Sequence, residues 1–331
     1  MAEVLLQQTQ VPTALPYYEA LLSRFPTVRA LAEAPRQAVL KVWEGLGYYR
    51  RAVHLHEAAK RVVRDHAGQV PDEPHRFAAL PGVGRYTCGA VQSIAFGHRL
   101  AAVDANAARV LARWFAVERP VSNSAVQKDL WRLAEALVPR DAPGEWNQAV
   151  MELGSRLCTP RSPVCRECPV RTLCRAARRD VQDRVPVRRR RKRIPHIEVG
   201  AGIVWRRGKV LMCRRPEGKM LGGLWEFPGG KRRNGESIPE CIHRELKEEC
   251  DLEVRVGDHL VDVTHTYSHL KVTLRCYHCR SPRGRVRALA AAEARWMQVE
   301  EIPTLPLPAA DLKILTALGI DAATARRATR R

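Results

Sequence analysis

Four cysteines, Cys158, Cys165, Cys168 and Cys174, stand at C-x6-C-x2-C-x5-C spacing in one short loop. No charged-then-apolar leader suggests an oxidising compartment, so thiols this dense read as ligands and not as disulfide partners. The chain must then fold back until all four sulfurs reach one centre. Cys165-x2-Cys168 also suits a tetrahedral zinc held by four thiolates. An iron–sulfur cluster is the other occupant, although the spacing differs from the ferredoxin runs.

At 331 residues the chain is long for one core, and roughly 100 to 200 residues per domain gives two. Lys and Arg number 56 against 35 for Asp and Glu, a net charge of +21 that points to a polyanionic partner. Part of the excess lies in the run Arg188 to Arg193, read either as a solvated linker or as a direct DNA contact. No stretch of 18 apolar residues occurs, so a membrane partner is excluded and a soluble cytoplasmic protein is expected, nucleoid-associated if bacterial.

Residues 14–176 read as amphipathic helices between Pro and Gly punctuation, for example Ala14 to Phe25, Tyr48 to His66, Ser122 to Val138 and Glu145 to Leu157. Beyond the basic run the period changes. Glu198 to Trp205, Lys209 to Arg214, Glu253 to Thr266 and Lys271 to Cys279 read as strands, interrupted by a helix from Ser237 to Glu249. The expected layout is multidomain: an all-α domain (1–176) carrying the cysteine loop (158–174), a basic linker (177–195), an α+β domain (196–318) and a basic tail (319–331).

In Leu80-Pro81-Gly82-Val83-Gly84-Arg85-Tyr86, two glycines form a turn directly before a helical segment. Bare backbone N–H groups there can approach a phosphate at a helix N-terminus. Asp104, in Val103-Asp104-Ala105-Asn106, has an ordinary reading as the N-cap of a helix over Ala107 to Phe115. The order hairpin glycines, helix-starting Asp, cysteine loop resembles the endonuclease III-type DNA glycosylases. Three further motifs sharpen the resemblance to the A/G-specific adenine glycosylases, the MutY family: Glu3-Val4-Leu5-Leu6-Gln7-Gln8-Thr9-Gln10-Val11, Gly45-Leu46-Gly47-Tyr48-Tyr49, and Asn147-Gln148-Ala149 with Glu152-Leu153-Gly154.

The resemblance implies a helix-hairpin-helix glycosylase domain, a [4Fe-4S] cluster on Cys158, Cys165, Cys168 and Cys174, and a monomer acting on duplex DNA. Its reaction is monofunctional removal of adenine opposite 8-oxoguanine or guanine. Glu3 then protonates the base and later activates water, Asp104 steadies the cationic sugar, and Tyr86 and Asn106 orient them. Tyr86 stands where lyase-competent relatives carry lysine, and a phenol forms no Schiff base. Gln7, Gln8 and Tyr48 resemble the wedge that fills the gap left by the extruded base. Gly82 and Gly84 meet the DNA backbone, and Gln148 and Glu152, one helical turn apart, meet the edge of the flipped adenine. Relatives carry a further helix and a Leu-Pro-Trp-Arg-like segment before the glutamate. This sequence begins two residues before Glu3, so a frayed Glu3 and impaired activity are expected.

From Gly230 the sequence runs G-x5-E-x7-RE-L-x-EE, through Glu236, Arg244, Glu245, Leu246, Glu248 and Glu249, and resembles a Nudix box. Glu245, Glu248 and Glu249 share a helical face suited to Mg²⁺. Asp251 stands where the box carries glycine, which is expected to disturb the turn and any hydrolysis. In the MutY family this domain reads the oxidised guanine. Thr266-Tyr267-Ser268-His269 resembles its reading loop, with Ser268 hydrogen-bonding the lesion. Cys276 and Cys279 lie three apart on a strand and point to opposite faces, so no metal is expected there. Cys88, Cys213, Cys241 and Cys250 read as reduced packing residues, and His54 and His56 share no helical face. The alternatives are an endonuclease III-like enzyme for oxidised pyrimidines, a Nudix pyrophosphatase with a DNA-anchoring helical half, and a catalytically impaired DNA-binding fragment.

Overall fold

The computed structural model describes residues 1–187, 194–268 and 270–320. The basic run 188–193, His269 and the tail from 321 lie outside the described residues. Eleven helices precede the described strands: α1 (Ala2–Leu5), α2 (Val11–Arg24), α3 (Val28–Glu33), α4 (Arg36–Val42), α5 (Arg50–Asp65), α6 (Pro74–Ala78), α7 (Arg85–Phe96), α8 (Ala105–Trp114), α9 (Ser124–Leu137), α10 (Pro143–Arg156) and α11 (Arg175–Arg178). β1 (His196–Arg206), β2 (Lys209–Arg214), β3 (Trp225–Glu226), β4 (Gly229–Lys231), α12 (Ile238–Cys250), β5 (Glu253–Thr266), β6 (Lys271–Arg283), β7 (Glu293–Gln298) and α13 (Ala309–Ala317) follow. The four long helices and four long strands expected from periodicity are present, with ends displaced by a few residues.

The chain forms two compact units, Met1–Gln7 with Arg61–Lys192 and Gln8–Lys60 with Arg193–Arg331. This division differs from the expected boundary near 176, which places Gln8–Lys60 with the other helices. A buried ion pair is the physical reason. Lys41 Nζ reaches Glu44 Oε2 at 2.8 Å and the Leu305 carbonyl at 2.9 Å, while Glu44 Oε1 accepts from the Leu307 amide at 2.9 Å. Trp225 Nε1 adds a bond to Gln37 Oε1 at 3.0 Å. Nothing in residue-by-residue patterning reveals such a partnership.

In the first unit, Val126, Leu130, Trp131 and Ala134 form the buried stripe of α9, packed with Val110 and Leu111 of α8 and Val150 of α10. Leu130 is fully buried, so truncation to Ala costs about 2–5 kcal/mol. Local chemistry sets the ends: Asp104 caps α8 and Asn123 caps α9 through side-chain bonds to the first turn, and Gly97 stops α7 at φ 72°.

In the second unit the sheet order is β3-β2-β1-β6-β5, with β4 on β1 and β7 on β2. β1 runs parallel to β6 from His196 opposite Lys271 to Val204 opposite Cys279. The two faces build separate cores. One gathers Ile203, Val263, Cys276 and Ile314 of α13; the other gathers Val204, Cys279 and Ile242 and Leu246 of α12. Cys276 and Cys279 thus face opposite ways, as the strand period requires. Ser237 and Glu240 cap α12 reciprocally. The expected disturbance at Asp251 does not occur: Asp251 takes the left-handed cap conformation at φ 55°, which a short polar residue tolerates, and Lys247 pairs with it at 3.2 Å.

Candidate active site and cysteine loop

Glu3 sits in the single turn of α1, whose Leu5 side chain is 1 % exposed. That anchor removes the expected fraying. Tyr86, in the first turn of α7, donates its phenol proton to Glu3 Oε2 at 2.9 Å, with the Met151 sulfur 3.4 Å from the phenol oxygen. Burial, then the charge of Glu3 and its hydrogen bond, then Asp104, push the phenol above its ordinary pKa. It remains a donor. Asp104 Oδ1 accepts from the Ala107 amide at 2.6 Å. Burial raises its carboxyl, opposed by the Ala107 and Asn106 amides and by the Arg109 charge. Two carboxyl groups thus flank one protonated phenol, the arrangement that acid–base chemistry at a poor leaving group needs.

Asn106 contributes to Asp104 through its backbone, because its side-chain oxygen accepts from Arg109 Nη2 at 2.8 Å. Asn106 thus meets Asp104 through its amide while its side-chain oxygen is engaged by Arg109. Arg109 also donates to the carbonyls of Cys158 at 2.8 Å and Gly154 at 2.7 Å. One turn on, Arg113, 2 % exposed, donates to Cys158 Sγ at 3.2 Å, Thr159 O at 2.8 Å and Val185 O at 2.8 Å. α8 is therefore a rod with the acid at one end and the cysteine loop gripped along its flank. Sequence reasoning missed both arginines. Their signal was present: Arg109 and Arg113 stand i,i+4 on one face of α8.

Burial and then the neighbouring thiols Cys158 and Cys174 raise Cys165 and Cys168. Among the described residues no three His, Cys, Asp or Glu form a group that could hold a metal ion. The donor set itself fits an anionic cluster: four thiols from one loop, with a buried guanidinium already at one sulfur.

The remaining predicted residues of this unit fall into two groups. Gln7 donates to Thr87 Oγ1 at 3.1 Å, beside Tyr86. Gly82, at φ 77°, and Gly84, the N-cap of α7, are exposed. Gln148 and Glu152 are exposed on α10, Glu152 paired with Arg156 at 3.0 Å. Asn147, part of the Asn147-Gln148-Ala149 motif, is fully buried. It bonds Ser93 Oγ, Leu100 O and the Ala102 amide at 2.8–2.9 Å and so fixes the approach to Asp104. Gly154 is required by packing, since a Cβ there would lie 2.7 Å from Asn106 Cβ.

In the second unit Gln8 is exposed at φ 58° and Tyr48 is 45 % exposed at φ 49°. Ser268 is exposed in the turn closed by Tyr267 N–H to Leu270 O at 2.8 Å, and the Tyr267 ring stands edge-on to His265. Two of the three Nudix-box glutamates that the sequence assigns to Mg²⁺ are paired with arginines. Arg244 takes both Glu245, at 2.7 Å, and Glu248, at 3.2 Å, and Arg233 takes Glu248 again. These carboxylates are arranged around guanidinium groups. Glu249 instead faces inward, pushed up to about 7 by burial and then by Glu226 and Glu245. Asp311, wholly buried beside Glu226, is pushed up to about 8. Among the described residues no helix is long and apolar enough to cross a membrane.

Residues 1–136 match the HhH-GPD superfamily of base excision DNA repair proteins, and residues 200–317 match the NUDIX domain. The adenine DNA glycosylase of Rattus norvegicus is 34% identical over 360 residues, which cover 95% of this chain and 70% of the relative. That of Homo sapiens is 34% identical over 362 residues, covering 95% and 66%. The chain thus spans about two thirds of the length of these mammalian relatives. A solved thermostable thymine-DNA glycosylase is 32% identical, covering 54% of this chain and 82% of its own, at a TM-score of 0.48. With the rat relative matched over more than two thirds of its length and a base-excision domain ahead of a NUDIX domain, the chain belongs to the adenine DNA glycosylase family.

Proposed function

We propose that this chain hydrolyses the N-glycosidic bond of adenine opposite 8-oxoguanine or guanine in duplex DNA, acting as a monomer wherever the cell keeps its DNA. The observation that carries the reading is the Glu3–Tyr86 hydrogen bond at 2.9 Å with Asp104 near the same phenol. Glu3 in its acid form gives a proton to adenine N7, the C1′–N9 bond breaks, and the base leaves neutral. Asp104, as the anion, supports the oxocarbenium-like sugar electrostatically or through a transient adduct. Water then adds to C1′ and returns its proton to the Glu3 carboxylate. Tyr86 holds Glu3 in place and offers no amine, so strand cutting is not part of the reaction.

The supporting parts follow from charge and shape. A net charge of +21 favours a polyanion, and the exposed Gly82 and Gly84 leave backbone amides open to a phosphate. Gln7, Gln8 and Tyr48 serve as the wedge, and Gln148 and Glu152 read the extruded base. Ser268, in the segment 196–318, reads the opposing oxidised guanine. Cys158, Cys165, Cys168 and Cys174 would hold a [4Fe-4S] cluster, which would tie the loop together beside α8, where Arg113 donates to Cys158 Sγ. A yellow-brown protein with a broad visible band is expected.

The test is single-turnover excision from duplexes carrying A:8-oxoguanine, A:G and A:C, resolved with and without alkali. Strand breaks appearing only after alkali, fastest opposite 8-oxoguanine, are expected. Release of thymine glycol in place of adenine refutes the assignment. Magnesium-dependent phosphate release from free nucleotides would support the pyrophosphatase reading, which the Arg244 pairs do not favour.

A further inference from the structure

The connection from α4 to α5 is built on three left-handed residues, Gly45 at φ 91°, Gly47 at φ 75° and Tyr48 at φ 49°. For glycine this conformation is free, but for tyrosine it costs about 1 kcal/mol or more. The fold holds it from below. Trp43, fully buried, donates Nε1–H to Gly47 O at 3.0 Å, and Tyr49 Oη accepts from the Gly45 amide at 3.0 Å. Tyr17 Oη donates to Glu44 O at 3.0 Å. The result is a rigid loop with one large ring, Tyr48, still 45 % exposed.

Arg51, the second residue of α5, is 7 % exposed although it carries a full charge. Its guanidinium carbon lies 5.3 Å from the Trp43 ring centroid and 5.4 Å from that of Tyr48, and Nη2 donates to Gly47 O at 3.3 Å. A buried indole, a guanidinium and an exposed phenol are thus stacked in order. Cation–π attraction of this kind holds the guanidinium against both ring faces.

We propose that Arg51 is the positioning residue for Tyr48, clamping its ring against the Trp43 platform so that the ring enters a nucleic-acid stack already oriented. The proposal rests on the reading of Tyr48 as a wedge. A free tyrosine loses rotamer freedom on insertion, about 0.5–1.5 kcal/mol per immobilised side chain. The Arg51 clamp takes that loss at folding. Arg51 itself is too buried to meet DNA, so its whole effect must pass through Tyr48.

A double-mutant cycle on the full chain tests this, using Arg51→Met, Arg51→Lys, Tyr48→Ala and the pairs. The readouts are single-turnover adenine excision from an A:8-oxoguanine duplex and the fluorescence rise of 2-aminopurine placed beside the lesion, which reports unstacking. Arg51→Met is expected to slow excision about tenfold, roughly 1.4 kcal/mol, and to suppress the fluorescence rise. Arg51→Lys, which keeps the cation, recovers part of both. In the Tyr48→Ala background neither Arg51 change has a further effect. Equal losses in the wild-type and Tyr48→Ala backgrounds would show a merely structural arginine and overturn the proposal, as would wild-type behaviour of Arg51→Met. If Arg51→Met does not fold, the Arg51→Lys arm of the cycle decides by the same criterion. Should Tyr48→Ala alone leave excision and fluorescence unchanged, the wedge reading falls and the clamp with it, whereas the Arg51 outcomes above overturn the clamp alone.

Discussion

Asp104 serves two ends, as a helix cap and as an anion beside the sugar, and one pair of substitutions separates them. Asn caps helices about as well as Asp, so Asp104→Asn keeps the 2.6 Å bond to the Ala107 amide while removing the charge. Asp104 is half-buried, where an effective dielectric near 20 applies. An anion about 4 Å from a developing cation then contributes ~4 kcal/mol, or roughly a thousandfold in rate. Asp104→Asn is therefore expected to lower single-turnover excision of adenine about a thousandfold, with unfolding free energy within ~0.5 kcal/mol of the wild type by urea titration. Asp104→Ala should lose the same rate and about 1 kcal/mol of stability besides. The pH dependence gives a further check. Burial raises the Asp104 carboxyl, so excision should begin to fall on acidification at a higher pH than an ordinary aspartate would set, and Asp104→Asn should abolish that limb. An Asp104→Asn enzyme with undiminished excision would refute the electrostatic role and leave only the cap.

Three other expectations follow from the geometry. Tyr86→Phe removes the hydrogen bond that holds Glu3, about 0.5–1.5 kcal/mol, and should slow excision up to roughly tenfold without weakening duplex binding; equal loss in a binding titration would contradict a role confined to Glu3. Arg113→Met removes the donor to the buried Val185 and half-buried Thr159 carbonyls, and should cost about 2–3 kcal/mol in denaturant titration and diminish visible absorbance; unchanged values for both would dismiss Arg113 as the anchor of the loop. Asp311 holds a proton up to about pH 8 when folded and releases it near the ordinary carboxyl value of 3.8 when unfolded. The native state therefore binds more protons between these limits, and stability falls as pH rises through the window. Asp311→Asn should flatten that fall and stabilise the protein at pH 9 by roughly 2 kcal/mol; identical denaturation profiles at pH 5 and 9 in both proteins would rule it out.

Local chemistry was legible because it is written in neighbouring residues. The 3.6-residue period marked the long helices, the strand period sent Cys276 and Cys279 to opposite faces, and Ser237 with Glu240 announced the start of α12. Short elements such as β3, β4 and β7 were not legible, since a few residues carry no period and their pairing is decided by the partner strand. α13 was missed for another reason: Leu312, Ile314 and Leu315 are all buried, which erases the amphipathic signal.

Residue type and spacing marked the four cysteines and the box from Gly230 to Glu249, and the family resemblance carried by the motifs then pointed to Glu3, Asp104 and Tyr86. Folding in three dimensions added that Tyr86 bonds Glu3, that Asn106 yields its side chain to Arg109, that Arg113 grips the cysteine loop, and that Arg244 occupies the carboxylates of the box. It also set Gln8–Lys60 with the sheet through Lys41 and Glu44. One cause is common to all of these. A side chain's type and spacing are local properties, but which hydrogen-bond partner satisfies it once water is excluded depends on groups that lie dozens or hundreds of residues away along the chain.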